Sequence, residues 1–175
     1  MIIVCSLKEM PASAMAARAT HIVSLIREAD MPDTPAHPPG VKHLKIAVDD
    51  ITEPVDGMTA PSEDHVAALI NFVADWDRET PIVVHCDDGD GRSMAAALTL
   101  LSLDRPGDEV PAARWLRKRA THARPNRLFV SHADAYLGRN GRLIGALDAM
   151  GPAQPGFGHG RVTRVPVNLE LQLQY

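Results

Sequence analysis

Cys86 and Arg92 are separated by five residues, a spacing that can place a sulfur and a guanidinium on two sides of one bound anion. Residues 82–84 are β-branched and predict a buried strand, whereas residues 93–102 are rich in helix formers. A strand, a glycine-containing loop and a helix therefore follow in order. Such a loop surrounds one point with backbone N–H groups and the positive end of a helix dipole, which suits a phosphate.

The residue types in this loop indicate nucleophilic phosphate chemistry. Only a thiolate is a competent nucleophile, and an anion-binding loop favours that form at Cys86. Arg92 would hold two phosphate oxygens, and the hydroxyl of Ser93 could donate to the sulfur as it departs. We expect the backbone amides of the loop to bind the remaining oxygens, so the predicted substrate-binding residues are Asp87, Asp88, Gly89, Asp90, Gly91 and Arg92.

The complete motif, His85-Cys86-x5-Arg92-Ser93, resembles the signature of the cysteine-dependent protein tyrosine phosphatase superfamily, especially its compact dual-specificity-like and bacterial members. The resemblance covers roughly residues 1–150. It implies an α/β fold, with a small central, mostly parallel sheet of four to five strands flanked by helices. It also implies a phosphomonoester hydrolase that forms a cysteinyl-phosphate, needs neither metal nor other cofactor, and uses His85 to support the loop.

The loop departs from that pattern in its charge, since Asp87, Asp88 and Asp90 stand where the superfamily mostly has small, apolar or basic residues. Each carboxylate opposes a bound dianion by about 0.5–2 kcal/mol at an intermediate dielectric. We therefore predict weak substrate binding. A catalytically weak or inactive phosphate-binding protein is the first alternative to an active enzyme.

The general acid is expected in the acidic segment that follows residues 41–48. The resemblance implies an aspartate on a loop ahead of the cysteine, which would protonate the leaving oxygen. Asp50 is our choice, and Asp49 and Asp56 remain candidates. Ordinary turn carboxylates are the competing interpretation, because acidic residues are common in turns.

A second alternative is sulfur transfer or arsenate reduction, which also use a cysteine in an anion-binding loop. Arsenate reduction normally requires a resolving cysteine, and the chain has only Cys5 besides Cys86. We interpret Cys5 as a packing residue. Two cysteines without a zinc spacing favour free thiols in a reducing, cytoplasmic compartment.

Composition bounds the remaining possibilities. A chain of 175 residues with 45% hydrophobic content is large enough for one sizeable core. A net charge of −4 does not favour nucleic-acid binding, and no apolar stretch has the length of a membrane span. The expected partner is a phosphorylated substrate, either a phosphoprotein or a small phosphomonoester. The low aromatic content, 4%, leaves that choice open, and the oligomeric state is equally open.

Hydrophobic periodicity and breakers predict the other elements. Strands are expected at residues 2–5, 21–26, 41–48 and 82–84, and helices at 11–18, 61–77, 93–102, 109–122, 128–137 and 142–150. The domain prediction is a phosphatase-like unit at 1–150 and an irregular tail at 151–175. Residues 161–175 alternate like an edge strand that packs on the domain or pairs with a second copy.

Two further patterns lie beyond the loop. Four basic residues of the 109–122 helix predict a solvated face that could attract an acidic substrate: Arg114, Arg117, Lys118 and Arg119. The resemblance also indicates that the helix after Pro125 packs against the catalytic loop, so Asn126 or Arg127 is expected to brace it.

Overall fold

The computed structural model describes residues 1–154 and 161–167, which form an α/β fold around a five-stranded sheet. The strands are β1 (Ile2–Ser6), β2 (His21–Ile26), β3 (Lys42–Ala47), β4 (Ile82–Cys86) and β5 (Thr163–Val165). Their order across the sheet is β3-β2-β4-β1-β5. The first four strands are parallel and β5 is antiparallel to β1. The predicted fold class is confirmed.

Helices cover both faces of the sheet. They are α1 (Met10–Ala17), α2 (Glu63–Phe72), α3 (Arg92–Ser102), α4 (Glu109–Arg119), α5 (Arg127–Tyr136) and α6 (Arg142–Ala149). A short 3₁₀ turn lies at Glu28–Asp30. Among the described residues, none of these helices is long and apolar enough to cross a membrane.

The strand pleat divides the core into two parts, because successive side chains point to opposite faces. In β4, Val84 belongs to the large cluster shared with α2 to α6, whereas Val83 belongs to a smaller cluster that includes residues of α1. The same alternation sends Cys86 and His85 to opposite faces. The nucleophile candidate and its neighbour therefore have different surroundings.

Several predicted boundaries and packing roles were wrong. Helix α2 begins after Ser62, whose N–H donates to His65 Nδ1 at 3.2 Å, and it ends at Phe72. Helix α4 ends at Arg119, and the side chain of Arg117 donates to the carbonyl oxygens of Ala120 and Thr121, just beyond it, at 3.2 and 2.7 Å. Arg117 is therefore half-buried rather than part of a solvated basic face.

The tail contributes a strand to the domain. Thr163–Val165 pairs with β1, with Val4 opposite Thr163 and Ile2 opposite Val165. Of the two arrangements expected for the tail, the described part shows packing on the same chain. The rest of the predicted strand, 168–175, and the segment 155–160 lie outside the described residues.

Candidate active site

Cys86 is the last residue of β4, and its side chain is 1% exposed. The Gly89 N–H donates to the sulfur at 3.3 Å, and the Ser93 Oγ lies 3.1 Å from it. Both contacts are buried. The sulfur therefore has a backbone amide on one side and a hydroxyl from the first turn of α3 on the other.

The loop between β4 and α3 folds tightly over the end of β1. Gly89 has a φ of +81°, and a Cβ there would lie 2.7 Å from the carbonyl carbon of Cys5. Only glycine fits this position, because both the backbone conformation and the close approach exclude a side chain. The Leu7 N–H also donates to the Asp87 carbonyl at 3.1 Å, which anchors the first part of the loop.

Helix α3 begins at Arg92, so its first N–H groups face the loop without partners from within the helix. The eleven residues of this helix are all buried. The partial positive charge at its beginning favours an anion beside Cys86.

The guanidinium of Arg92 is held by two protein acceptors. Nη1 donates to the Val48 carbonyl at 2.6 Å, and Nη2 donates to Asp87 Oδ2 at 2.5 Å. The third group, Nε, is buried and has no hydrogen-bond partner among the described residues. Arg92 is thus positioned by its own loop and by Val48, the residue after β3, and Nε is one of its unengaged donors.

At least two of the three loop carboxylates pair with arginines. Asp87 pairs with Arg92, and Asp90 pairs with Arg124. Asp90 also accepts the Arg124 N–H on its backbone carbonyl at 2.7 Å. The side chain of Asp88 is exposed. The charge opposition expected from the sequence is therefore partly cancelled by pairs that link distant segments.

Among the three candidate acids, the structure places Asp50 against the catalytic loop. A Cβ on Gly91 would lie 2.0 Å from Asp50 Oδ2, so the carboxylate occupies the space that a side chain would need. Asp49 turns away, since its Oδ2 accepts the Thr59 N–H at 2.8 Å. Asp56 is exposed.

Asn126 connects Asp50 to helix α5. Its Nδ2 donates to Asp50 Oδ1 at 2.6 Å, while its Oδ1 caps the helix by accepting the Phe129 N–H at 3.0 Å. The cap fixes the orientation of the amide, so the donor side must face Asp50. Arg127, the other predicted brace, pairs instead with Asp148.

His85 lies behind the loop in a polar row that crosses three strands. Ser24 Oγ is 2.5 Å from His85 Nε2 and 2.7 Å from His43 Nε2, and Thr34 Oγ1 is 3.0 Å from His43 Nδ1. Burial lowers the pKa of His85 to about 4, against a weaker opposing effect of the Cys86 backbone. Burial also lowers the pKa of His43 to about 4. Both imidazoles are therefore neutral at pH 7.

Ser24, His43 and Arg124 were not identified as site residues from the sequence. Ser24 and His43 reach His85 only through the order of β3, β2 and β4, and no local motif marks them. Arg124 is close in the sequence to Asn126 and Arg127, which were expected to support the catalytic loop, but its partner Asp90 is 34 residues away.

A family model described as "Polymorphic toxin system, DSP-PTPase phosphatase" matches residues 19–102 of the chain. This range contains Asp50, the catalytic loop and the whole of α3. A search of curated proteins found no match.

Solved structures with a similar fold include phosphatases. Human DUSP28 is 20% identical over 78% of this chain and 88% of its own, with a TM-score of 0.58. DUSP15 is 16% identical over 85% and 87%, with a TM-score of 0.62. The Yvh1 phosphatase domain from Chaetomium thermophilum is 21% identical over 81% and 93%, with a TM-score of 0.60.

Proposed function

We propose that the chain is a member of the cysteine-dependent protein tyrosine phosphatase superfamily and that it hydrolyses phosphomonoesters through a cysteinyl-phosphate at Cys86. The observation that carries this proposal is the environment of the sulfur. The Gly89 amide, the Ser93 hydroxyl and the start of α3 converge on it, and the unpartnered Nε of Arg92 belongs to the same loop.

In the first step, the Cys86 thiolate attacks phosphorus, and the bond between phosphorus and the leaving oxygen breaks. Asp50 gives its proton to that oxygen, so the alcohol departs neutral. Arg92 and the amides from Asp87 to Arg92 hold the equatorial oxygens, where negative charge is spread in the transition state.

In the second step, water attacks the phosphorus of the cysteinyl-phosphate and the P–S bond breaks. Asp50, now ionised, accepts the proton of this water. Ser93 donates its hydroxyl to the sulfur as the thiolate leaves, which the 3.1 Å separation of the two atoms permits. No step calls for a metal or an organic cofactor.

His85 has a positioning role in this proposal. Its neutral ring lies on the face of the sheet opposite to Cys86 and is bonded to Ser24, so it orients the end of β4 rather than transferring a proton. The substrate is a phosphorylated molecule. From the description of the matched family, we propose that the chain acts as the phosphatase component of a polymorphic toxin system.

The test is hydrolysis of an aryl phosphate by wild type and by Cys86→Ser. The serine variant should bind inorganic phosphate and lose turnover, and rapid quenching of wild type should trap phosphate on Cys86. Asp50→Asn should slow a poor leaving group, such as an alkyl phosphate, more than a good one, because only the poor leaving group needs the proton. Turnover that survives Cys86→Ser would overturn the proposal.

The pairing of Arg92 favours one second candidate, a phosphate-binding protein with little or no turnover. Nη1 and Nη2 are both engaged by protein acceptors, so the carboxylate of Asp87 competes with a phosphate for the guanidinium. Binding of phosphate without a trapped cysteinyl-phosphate would support this candidate. Arsenate reduction has less support, because burial raises the pKa of the Cys5 thiol to about 12 and leaves it poorly suited to resolve a disulfide.

A further inference from the structure

The loop that carries Asp50 is closed at its base by a double contact between Asp49 and Thr59. The Asp49 N–H donates to the Thr59 carbonyl at 2.8 Å, and the Thr59 N–H donates to Asp49 Oδ2 at 2.8 Å. One of these bonds uses only the backbone, whereas the other depends on the side chain at position 49. This contact, the Asp49–Thr59 clamp, joins the two ends of the segment 50–58.

A turn within this segment brings the chain back to Asp49. The Met58 N–H donates to the Val55 carbonyl at 3.1 Å, and Gly57 inside the turn has a φ of +76°. Glycine suits this position, because other residues rarely adopt a positive φ. The clamp therefore lies where the returning chain meets the residues that follow β3.

Apart from the clamp, few contacts hold the segment in place. Residues 52–59 are all exposed, so side-chain packing does little to fix them. Among the described residues, those from 52 to 58 make no hydrogen bond to another part of the chain. Segments with few buried contacts open at a low cost in free energy. The order of this loop therefore depends on the points at which its ends are tied.

The second tie is Asn126, which reaches only the beginning of the segment. Its Nδ2 donates to Asp50 Oδ1 at 2.6 Å and to the Ile51 carbonyl at 3.1 Å. The clamp acts from the other side, because it ties the returning chain at Thr59 to the residue just before Asp50. The acid is thus held between two sets of hydrogen bonds that come from different parts of the chain.

The neighbours of Asp49 on both sides contact the catalytic loop. The Val48 carbonyl accepts a hydrogen bond from Arg92 Nη1 at 2.6 Å, and the Asp50 carboxylate fills the space beside Gly91. Asp49 therefore lies between the residue that holds the catalytic guanidinium and the residue that carries the proposed acid. A small displacement of a reacting group can cost a large part of its catalytic effect.

We propose that Asp49 is a positioning residue for the general acid, because its contact with Thr59 holds Asp50 in place beside Gly91. The inference rests on the proposed phosphatase function and adds a residue to its machinery. It also separates the two adjacent aspartates, since Asp50 transfers the proton whereas Asp49 acts through the structure of the loop. The side-chain oxygen at position 49, rather than its charge, is the feature that this role requires.

Two variants at position 49 separate the contact from the charge. Asp49→Asn keeps an oxygen that can accept the Thr59 N–H, whereas Asp49→Ala loses it, and both remove the same charge. We measure kcat/KM for an alkyl phosphate and for an aryl phosphate, because only the poor alkyl leaving group needs the proton of Asp50. The ratio of alkyl to aryl kcat/KM should stay near the wild-type value in Asp49→Asn and fall by roughly three- to tenfold in Asp49→Ala.

Glu53→Ala is the matched control, because it removes an exposed carboxylate from the same loop without touching the clamp. It should leave the ratio unchanged. Equal falls in Asp49→Asn and Asp49→Ala would assign the effect to the charge of Asp49 or to proton transfer by Asp49 itself. An unchanged ratio in Asp49→Ala would show that the clamp is incidental to catalysis. Either result overturns the positioning role.

Amide hydrogen exchange tests the contact without catalysis. The Thr59 N–H should exchange roughly three- to tenfold faster in Asp49→Ala than in Asp49→Asn, as followed by NMR. Equal exchange in the two variants would overturn the clamp itself. A wild-type enzyme inactive on every phosphate would overturn the proposed function, and the positioning role with it, even if Thr59 exchanged as expected. An active enzyme with equal ratios in the two variants would overturn the positioning role alone.

Discussion

The carboxylate of Asp50 fills the space beside Gly91 that any side chain at position 91 would require. A Cβ there would stand 2.0 Å from Asp50 Oδ2 and 2.9 Å from its carboxyl carbon. The φ of Gly91 is −102°, so the need for glycine comes from the neighbouring carboxylate rather than from a left-handed backbone. The acidic segment after β3 and the catalytic loop are therefore fitted to each other.

This fit predicts that Gly91→Ala lowers phosphatase activity by displacing Asp50. We expect kcat for an aryl phosphate to fall by about 10²-fold, close to the effect of Asp50→Ala, because general acid catalysis is lost in both cases. In the double variant Asp50→Ala/Gly91→Ala, kcat should be little lower than in Asp50→Ala alone, because the carboxylate that would clash with the alanine at position 91 is gone. Additive losses in kcat would show that position 91 acts independently of Asp50.

The catalytic loop could be predicted because its elements are adjacent in the chain. The β-branched strand, the His-Cys pair, the two glycines and the breaker-free helix all fall within residues 82–102, and β4 and α3 formed where this pattern indicated. Asp50 was harder to choose, since three aspartates share one segment. Only the approach to Gly91 and the engagement of Asp49 with Thr59 separate them.

Contacts between distant segments could not be predicted in this way. Three carboxylates in one loop indicated repulsion of phosphate, but the pairing of Asp90 with Arg124 depends on how the segment after α4 folds back. Likewise, the contacts of Ser24 with His85 and His43 depend on the placement of β2 between β3 and β4. Sequence periodicity indicates which face of a strand is buried. It carries no information on which other strand lies beside it in the sheet.

Asn126 is expected to have separable effects on stability and on activity. Asn126→Ser keeps a hydroxyl that can cap α5 but loses the bond to Asp50, whereas Asn126→Ala loses both. The free energy of unfolding of the alanine variant should be about 1 kcal/mol lower than that of the serine variant. The fall in kcat should be the same for both. Urea denaturation and steady-state kinetics measure the two quantities. If kcat were lower in the alanine variant than in the serine variant, in step with stability, the role of Asn126 in holding Asp50 would be contradicted.

Asp87 is expected to compete with phosphate for Arg92. Its carboxylate holds Nη2 at 2.5 Å, and its negative charge opposes a phosphate bound to the same guanidinium. Asp87→Asn should therefore lower the inhibition constant for inorganic phosphate by roughly three- to tenfold, because a neutral amide is a weaker competitor than a carboxylate. Inhibition of aryl phosphate hydrolysis gives this constant directly.

Asp90→Asn is the matched control for Asp87, since it removes one negative charge from the same loop without touching Arg92. General electrostatics would give both variants the same gain in phosphate affinity. Competition for the guanidinium requires the Asp87 variant to gain clearly more. Equal gains would mean that the contact between Asp87 and Arg92 is incidental to binding.

The row formed by buried His85, buried Ser24 and half-buried His43 predicts a loss of stability in mild acid. Burial lowers the pKa of His85 and of His43 from 6.5 to about 4. Above pH 6.5 both the folded and the unfolded states hold these rings neutral, so they add no pH dependence. Between pH 6.5 and 4 the unfolded state binds protons that the folded state excludes, and unfolding becomes easier as the pH falls. At pH 5, the excluded proton of His85 should lower the free energy of unfolding by about 2 kcal/mol relative to pH 7.

His43→Gln tests this effect, because an amide can still bond to Ser24 but does not titrate. His21, His65 and His122 also have pKa values lowered mainly by burial and destabilise the wild type in the same pH range, so only the difference between proteins is informative. The loss in unfolding free energy between pH 7 and pH 5, from urea denaturation, should shrink by roughly 1 kcal/mol in His43→Gln after allowance for its partial exposure. His37→Gln, at an exposed position on the segment before β3, should retain the full loss. If the two variants lost the same stability in acid, His43 would have to be charged or solvated in the folded protein, and the row behind Cys86 would not hold its neutral form.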